Sequence, residues 1–229
     1  MKETAYWMEF QDNEWPYTYT DHDREIARAI VVDDEENYYF VRAVRDDDFG
    51  KSTLIETAGG GVEPGEALHA AIHRELQEEL GADTEILAEI GVVSDFYNLV
   101  HRHNINHYYL CRIRSFGEKH LTKDEVESFH LSTLKLRFEE ALEEYVRCTD
   151  SGLGRLIGRR EIPVLLKARE LLQMMRKKGG KAPERNTEGR GKPRIAVASY
   201  ILPGPEKGRP SPTYLDAVYK TGTMERRFR

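Results

Sequence analysis

The chain has 229 residues, 39% hydrophobic and 32% charged, with a formal net charge of −6. That is room for one good-sized domain with extensions, and no apolar run approaches the roughly 20 residues needed to cross a bilayer. The opening MKETAYWMEF lacks the apolar stretch of a secretory leader, and Cys111 and Cys148 have no metal-type spacing; both are expected as buried thiols of a cytoplasmic protein.

The charge is unevenly spread. Residues 176–229 carry 14 Lys and Arg against 5 Asp and Glu, whereas residues 1–175 carry 20 against 35. The tail also holds six of the nine prolines. Three parts are therefore expected: an arm over 1–23, a folded domain over 24–177, and a largely disordered basic tail over 178–229. The tail leaves nucleic acid open as a partner, beside the plainer role of a solubilising segment.

The arm is rich in aromatics, with Tyr6, Trp7, Phe10, Trp15, Tyr17 and Tyr19. It is expected to pack on the domain rather than leave two tryptophans in solvent; the alternatives are base stacking or a homodimer contact. IARAIVV (26–32) and YYFVRAV (38–44) read as two strands of a hairpin around the acidic turn 33–37. A third strand is expected over 53–57, broken by the glycines at 59–61. A helix follows from about Glu66 to Leu80, with Gly81 as its C-cap. Further strands are expected at 85–93, 106–113 and 133–138, with the polar loop HRHNIN between the first two. Helices are expected over 139–148 and 162–177, the latter with Pro163 in its first turn. Strands alternating with helices indicate an α/β domain whose helices cover a sheet.

The helix after the glycines carries the chemistry. At 100° per residue, Leu68, Ile72, Leu76 and Leu80 form an apolar stripe. Glu75 and Glu79 point toward that packed side, with Glu78 further round. Carboxylates crowded at the edge of a core repel one another and lose hydration unless a cation sits between them. Mg²⁺ or Mn²⁺ suits oxygen donors. Arg74 stands four residues before Glu78 and can pair with it. Gly60 can bring its backbone carbonyl close to a cation.

The run Gly60–Ala82, GGVEPGEALHAAIHRELQEELGA, resembles the Nudix box: Gly, five residues, Glu, seven residues, then Arg-Glu, two residues, Glu-Glu, one residue and Gly. Ala82 stands where that family usually has a larger aliphatic residue, and Ala58 where proline is usual. The resemblance covers roughly 24–177. It implies an α/β/α sandwich around a mixed sheet and a pyrophosphohydrolase acting on a nucleoside diphosphate linked to another group. By resemblance, Glu75, Glu78 and Glu79 hold Mg²⁺ with the Gly60 carbonyl, Arg74 orients them, and Glu66 supports the loop. The general base is either a box glutamate or a later acid, Glu125 or Glu127. Arg42, by strand alternation, and Glu56, at a strand end, are candidate substrate contacts. His101, His103 and His107 read more simply as residues of a polar loop or strand start than as metal ligands.

Substrate choice stays open. The family's ADP-sugar branch usually has a proline about fifteen residues beyond the box, and none occurs here between Pro64 and Pro163. Tyr97 lies near the position of a tyrosine found in the dinucleoside-polyphosphate branch. Two readings stand beside a nucleotide hydrolase: a non-catalytic nucleotide sensor, and a hydrolase of RNA ends that uses the tail.

Overall fold

The computed structural model describes residues 6–121, 131–150 and 152–179. Glu125, Glu127 and the tail from residue 180 onward lie outside the described residues. The apolar run around Ile26–Val32 becomes the centre of β2 (His22–Val32), and the acidic turn hands the chain to β3 (Tyr38–Asp47). Asp33 organises that turn: its carboxylate accepts from the Asn37 backbone at 2.9 Å, the Asn37 amide at 2.7 Å and the Tyr39 hydroxyl at 3.0 Å. The expected hairpin is present but short, pairing only Val31 with Tyr39 and Val32 with Tyr38. Beyond that point the strands part. β3 continues against β4 (Gly50–Glu56), while Ile26–Ala29 of β2 pairs with β5 (Ala58–Gly61).

The helix α1 spans Leu68–Leu80, two residues shorter at its start than the pattern suggests. Glu66 stays outside because its carboxylate accepts from the Glu63 backbone at 3.0 Å and from Arg74. Gly81 ends the helix in the left-handed conformation (φ 63°), as expected of a C-cap.

The next two strands are longer than expected: β6 (Ala82–Tyr97) and β7 (Arg102–Phe116) form one long antiparallel pair. Only a 3₁₀ turn, Asn98–Val100, and His101 at φ 53° separate them. The expected loop over 101–106 is therefore mostly strand. Asn106 explains part of this, since its amide donates to the Val93 carbonyl at 3.1 Å and to Asp95 at 2.8 Å across the pair.

β1 (Met8–Phe10) joins the outer edge of β6 in parallel, and β8 (Ser132–Leu136) pairs with β3. The eight strands form one mixed sheet, with the order β1-β6-β7-β2-β3-β4 along its main path. The arm is packed as expected at Trp15, which meets Phe49 edge to face at 5.2 Å, while Trp7 remains 40% exposed.

Helices cover both faces. α1 buries Ile72, Leu76 and Leu80 against Ala27, Ala29, Val31, Tyr109 and Cys111. On the opposite face α2 (Phe138–Arg147) sets Tyr145 against Phe40 at 5.8 Å, and α3 (Gly152–Gly179) brings Glu161 to Tyr108. This is the expected α/β/α sandwich. α3 begins ten residues earlier than the sequence suggests, so Pro163 is internal to it. Proline inside a helix costs about 3 kcal/mol. Burial of Leu153, Leu156 and Ile157 in the extra turns contributes about 1.5–3 kcal/mol each, which outweighs it. Among the described residues no helix is long and apolar enough to cross a membrane.

Candidate active site

β5 and α1 meet where the chain has no side chains to keep them apart. Gly59 has φ 135°, and a Cβ there would lie 2.2 Å from the Ala27 carbonyl oxygen of the paired strand. At Gly60 a Cβ would lie 2.6 Å from Glu75 Oε2, so only glycine lets that carboxylate rest on the backbone. Glu79 Oε2 accepts from the Gly59 backbone N–H at 2.8 Å. Glu75 and Glu79 are 6% and 8% exposed, as the apolar stripe requires, whereas the Glu78 side chain is 27% exposed.

Arg74 binds this constellation together. It grips Glu66 with two bonds, donates to the Gly61 carbonyl at 2.9 Å, to Glu75 Oε1 at 2.7 Å and to Glu78 Oε2 at 3.2 Å. The Arg74 hydrogen bonds and that from the Glu63 backbone hold the Glu66 carboxyl down at about 2. The same ion pairs, Glu66 first, raise Arg74 above its ordinary value.

A cleft of about 510 Å³ opens where β2 and β3 part, lined from β2, β3, β5, α1, β7 and α3. Glu75, Glu79 and Gly59–Gly61 form one wall. Five arginines also line it: Arg24, Arg28, Arg45, Arg102 and Arg160. Acidic and basic walls thus face one cavity, which suits an anion held together with a cation. The glutamate oxygens are the hard donors that a divalent cation prefers. Among the described residues no three His, Cys, Asp or Glu side chains already stand as a ready metal group. Glu78 is drawn to Arg74, so a cation would compete with that guanidinium for it.

The cleft floor is a buried ionic network. Arg160, 1% exposed, donates to Asp95 at 2.8 Å, to the Tyr97 hydroxyl at 2.7 Å and to Glu161 at 2.8 Å. Glu161 also accepts from Tyr108 at 2.9 Å and from Thr57, just before β5, at 3.1 Å. Burial raises the Tyr97 and Tyr108 hydroxyls above their ordinary values. Tyr97 therefore reaches the cleft as a hydrogen-bonded wall residue.

The sequence-predicted residues divide clearly. Gly60, Glu75, Glu79 and Glu56 line the cleft; Arg74, Glu66 and Glu78 form the network behind them. Arg42 does not line the cleft. Val41, Ala43 and Arg45 do, and alternation sets Arg42 on the other face of β3. Arg45 is the cation that β3 contributes, paired with Glu56 at 3.0 Å and Asp47 at 2.8 Å. The histidines have separate partners: His101 stacks on Tyr19 at 4.1 Å, His103 joins Ser94 and Asp23, and His107 meets Glu25. Sequence reasoning missed Arg24, Arg28, Arg45, Arg102, Asn104, Arg160 and Glu161. Only Arg28 left a signal, as a lone charge inside the apolar run IARAIVV.

The NUDIX domain model matches residues 23–147. Among solved structures, a NUDIX hydrolase from Nitrosomonas europaea is 15% identical, with a TM-score of 0.49 over 67% of this chain and 90% of its own. A UDP-X diphosphatase is 15% identical (TM-score 0.45, 69% of this chain and 66% of its own). An ADP compounds hydrolase is 19% identical (TM-score 0.45, 69% and 76%). No curated protein matches the sequence. The domain match spans more than half of the chain, and this protein belongs to the Nudix family of pyrophosphohydrolases.

Proposed function

We propose that the cleft hydrolyses the pyrophosphate bond of a nucleoside diphosphate linked to another group, with water as the nucleophile. The observation that carries this is the placement of two buried carboxylates, Glu75 and Glu79, against the glycine backbone in a cleft otherwise rich in arginine. Glu75, Glu78, Glu79 and the Gly60 carbonyl would hold Mg²⁺ or Mn²⁺, which when bound neutralises the phosphate oxygens and makes phosphorus electrophilic.

The chain's own residues do the rest. Arg74 fixes the directions of Glu75 and Glu78, and through Glu66 ties the loop to the helix, so the acidic wall is set before substrate arrives. Arg45 and Glu56 define the opposite wall from β3 and β4. Water oxygen forms a bond to one phosphorus as the bridging P–O bond breaks. The departing phosphate takes the electron pair, and a glutamate of the box, or Glu125 or Glu127, takes the water proton.

Cleavage of a panel of nucleoside diphosphate derivatives in ¹⁸O-water tests this. Two monophosphate products, one carrying a single ¹⁸O, are expected. Label in a non-phosphate product, or a nucleotide that binds and is never cleaved, would overturn it; the latter would favour a sensor.

A further inference from the structure

The five cleft arginines are not equivalent. Arg28 donates to Asn106 at 3.1 Å and to the Thr57 carbonyl at 3.2 Å; Arg45 pairs with Asp47 and Glu56; Arg160 pairs with Asp95 and Glu161. Among the described residues Arg24 and Arg102 have no such hydrogen bond or ion pair, and Arg102 Nε is buried without a partner. Asn104 is only 5% exposed, and its Oδ1 also has no partner. All three line the cleft.

Their placement is set by strand register. β2 and β7 run parallel, with Arg24 opposite Asn104 and His22 opposite Arg102. Arg102 and Asn104 are two residues apart on one face, about 6–7 Å along the strand, and Arg24 is one strand away, about 4.8 Å. Side chains from those neighbouring origins line the same cleft. Arg24 also lies alongside the glycine strand: a Cβ on Gly61 would be 3.0 Å from its Nη2. The cluster therefore adjoins the Glu75 end of the cleft.

Two guanidiniums so close repel one another, and a buried amide without a partner is costly. Arg24 is lowered from its ordinary value by desolvation against the cleft wall, then by the Arg102 and Arg28 charges, with the Glu75 carboxylate opposing them in part. An oxyanion would neutralise both arginines, and it would accept a hydrogen bond from Asn104 once the amide is turned so that its NH2 end faces the anion in place of Oδ1.

We propose, resting on the pyrophosphate-cleavage reading above, that Arg24, Arg102 and Asn104 form a separate subsite for an oxyanion that the substrate carries beyond its pyrophosphate. The acidic wall and its cation take the pyrophosphate; the β2–β7 wall takes the additional group. That group is either the terminal phosphate of a nucleoside triphosphate or a phosphate on the linked moiety.

The test is calorimetric binding to the full chain in Ca²⁺, using ATP against ADP for the first source and NADPH against NADH for the second. One pair is expected to show about a tenfold preference for the more phosphorylated member, the size of one charge-assisted contact. Arg24→Gln with Arg102→Gln should bring that ratio toward one. Arg102→Lys should keep part of it. Asn104→Asp, which keeps size and adds a negative charge, should abolish it, with melting temperatures confirming that each variant folds. Equal binding within both pairs, a ratio that survives the double substitution, or no binding of any of the four would overturn the subsite. The pyrophosphatase reading fails separately, if no nucleoside diphosphate derivative is cleaved whatever the preference.

Discussion

Arg74 holds Glu66 by two parallel hydrogen bonds, Nε to Oε1 and Nη2 to Oε2, each 2.9 Å. One planar guanidinium thereby joins the loop at Glu66 to a helix turn eight residues on, while its third nitrogen reaches Glu75 and Glu78. Lysine cannot reproduce that fork. Arg74→Lys is expected to fold and to lose about 10–100-fold in kcat, as positioning of the carboxylates loosens. Steady-state kinetics beside a melting curve check it.

Glu66 gives the site an acid limit. Its carboxyl is held down at about 2 in the fold, below an unfolded value of about 4.3. The group's contribution to stability is thus fully present above the unfolded value and is lost as pH falls toward 2. Asp33, held at about 2 by its hydrogen bonds to Asn37, Lys135 and Tyr39 against an opposing burial effect, adds to the same window. Glu66→Gln should therefore be less stable than wild type at pH 6, with the difference shrinking between about pH 4 and 2. Denaturant unfolding at a series of pH values measures this.

Adjacent glycines should fail differently. Alanine at Gly59 meets backbone at 2.2 Å, with φ 135°, so neither partner can yield easily. Gly59→Ala is expected to cost about 1–3 kcal/mol of stability. Alanine at Gly60 meets a movable carboxylate, Glu75. Gly60→Ala should melt within a few degrees of wild type and lose most activity. Melting curves and turnover together separate the two.

The fold and the acidic wall were legible because they rest on local patterns. Helical periodicity put Glu75 and Glu79 toward the core, and the Gly81 stop is a backbone requirement. The basic wall was not legible, because Arg24, Arg45, Arg102 and Arg160 come together only when β2 parts from β3 and α3 closes over β6 and β7. Arg42 shows the limit: alternation places it on the face of β3 that carries Tyr38 and Phe40, and that face packs on α2, away from the cleft. Arg45→Ala is expected to raise KM by about tenfold, and Arg42→Ala by no more than about twofold. Initial-rate measurements on the two variants decide between the faces.

The floor network is an all-or-none element. Arg160→Met leaves Asp95 and Glu161 buried without their cation, an expected loss of about 3–5 kcal/mol. Substituting Arg155, an exposed α3 residue that pairs with Glu14 at 2.8 Å, should change stability by less than about 1 kcal/mol. Chemical denaturation of both variants gives the comparison.

The most direct measurement is cleavage of the best nucleoside diphosphate derivative with and without Mg²⁺, for wild type and Glu79→Gln. Cleavage that requires the metal and falls by 100-fold or more in Glu79→Gln, roughly 3 kcal/mol of transition-state stabilisation, is the predicted result. Wild-type cleavage that persists after chelation, or a Glu79→Gln variant as active as wild type, would contradict a reaction carried by the carboxylate wall of α1.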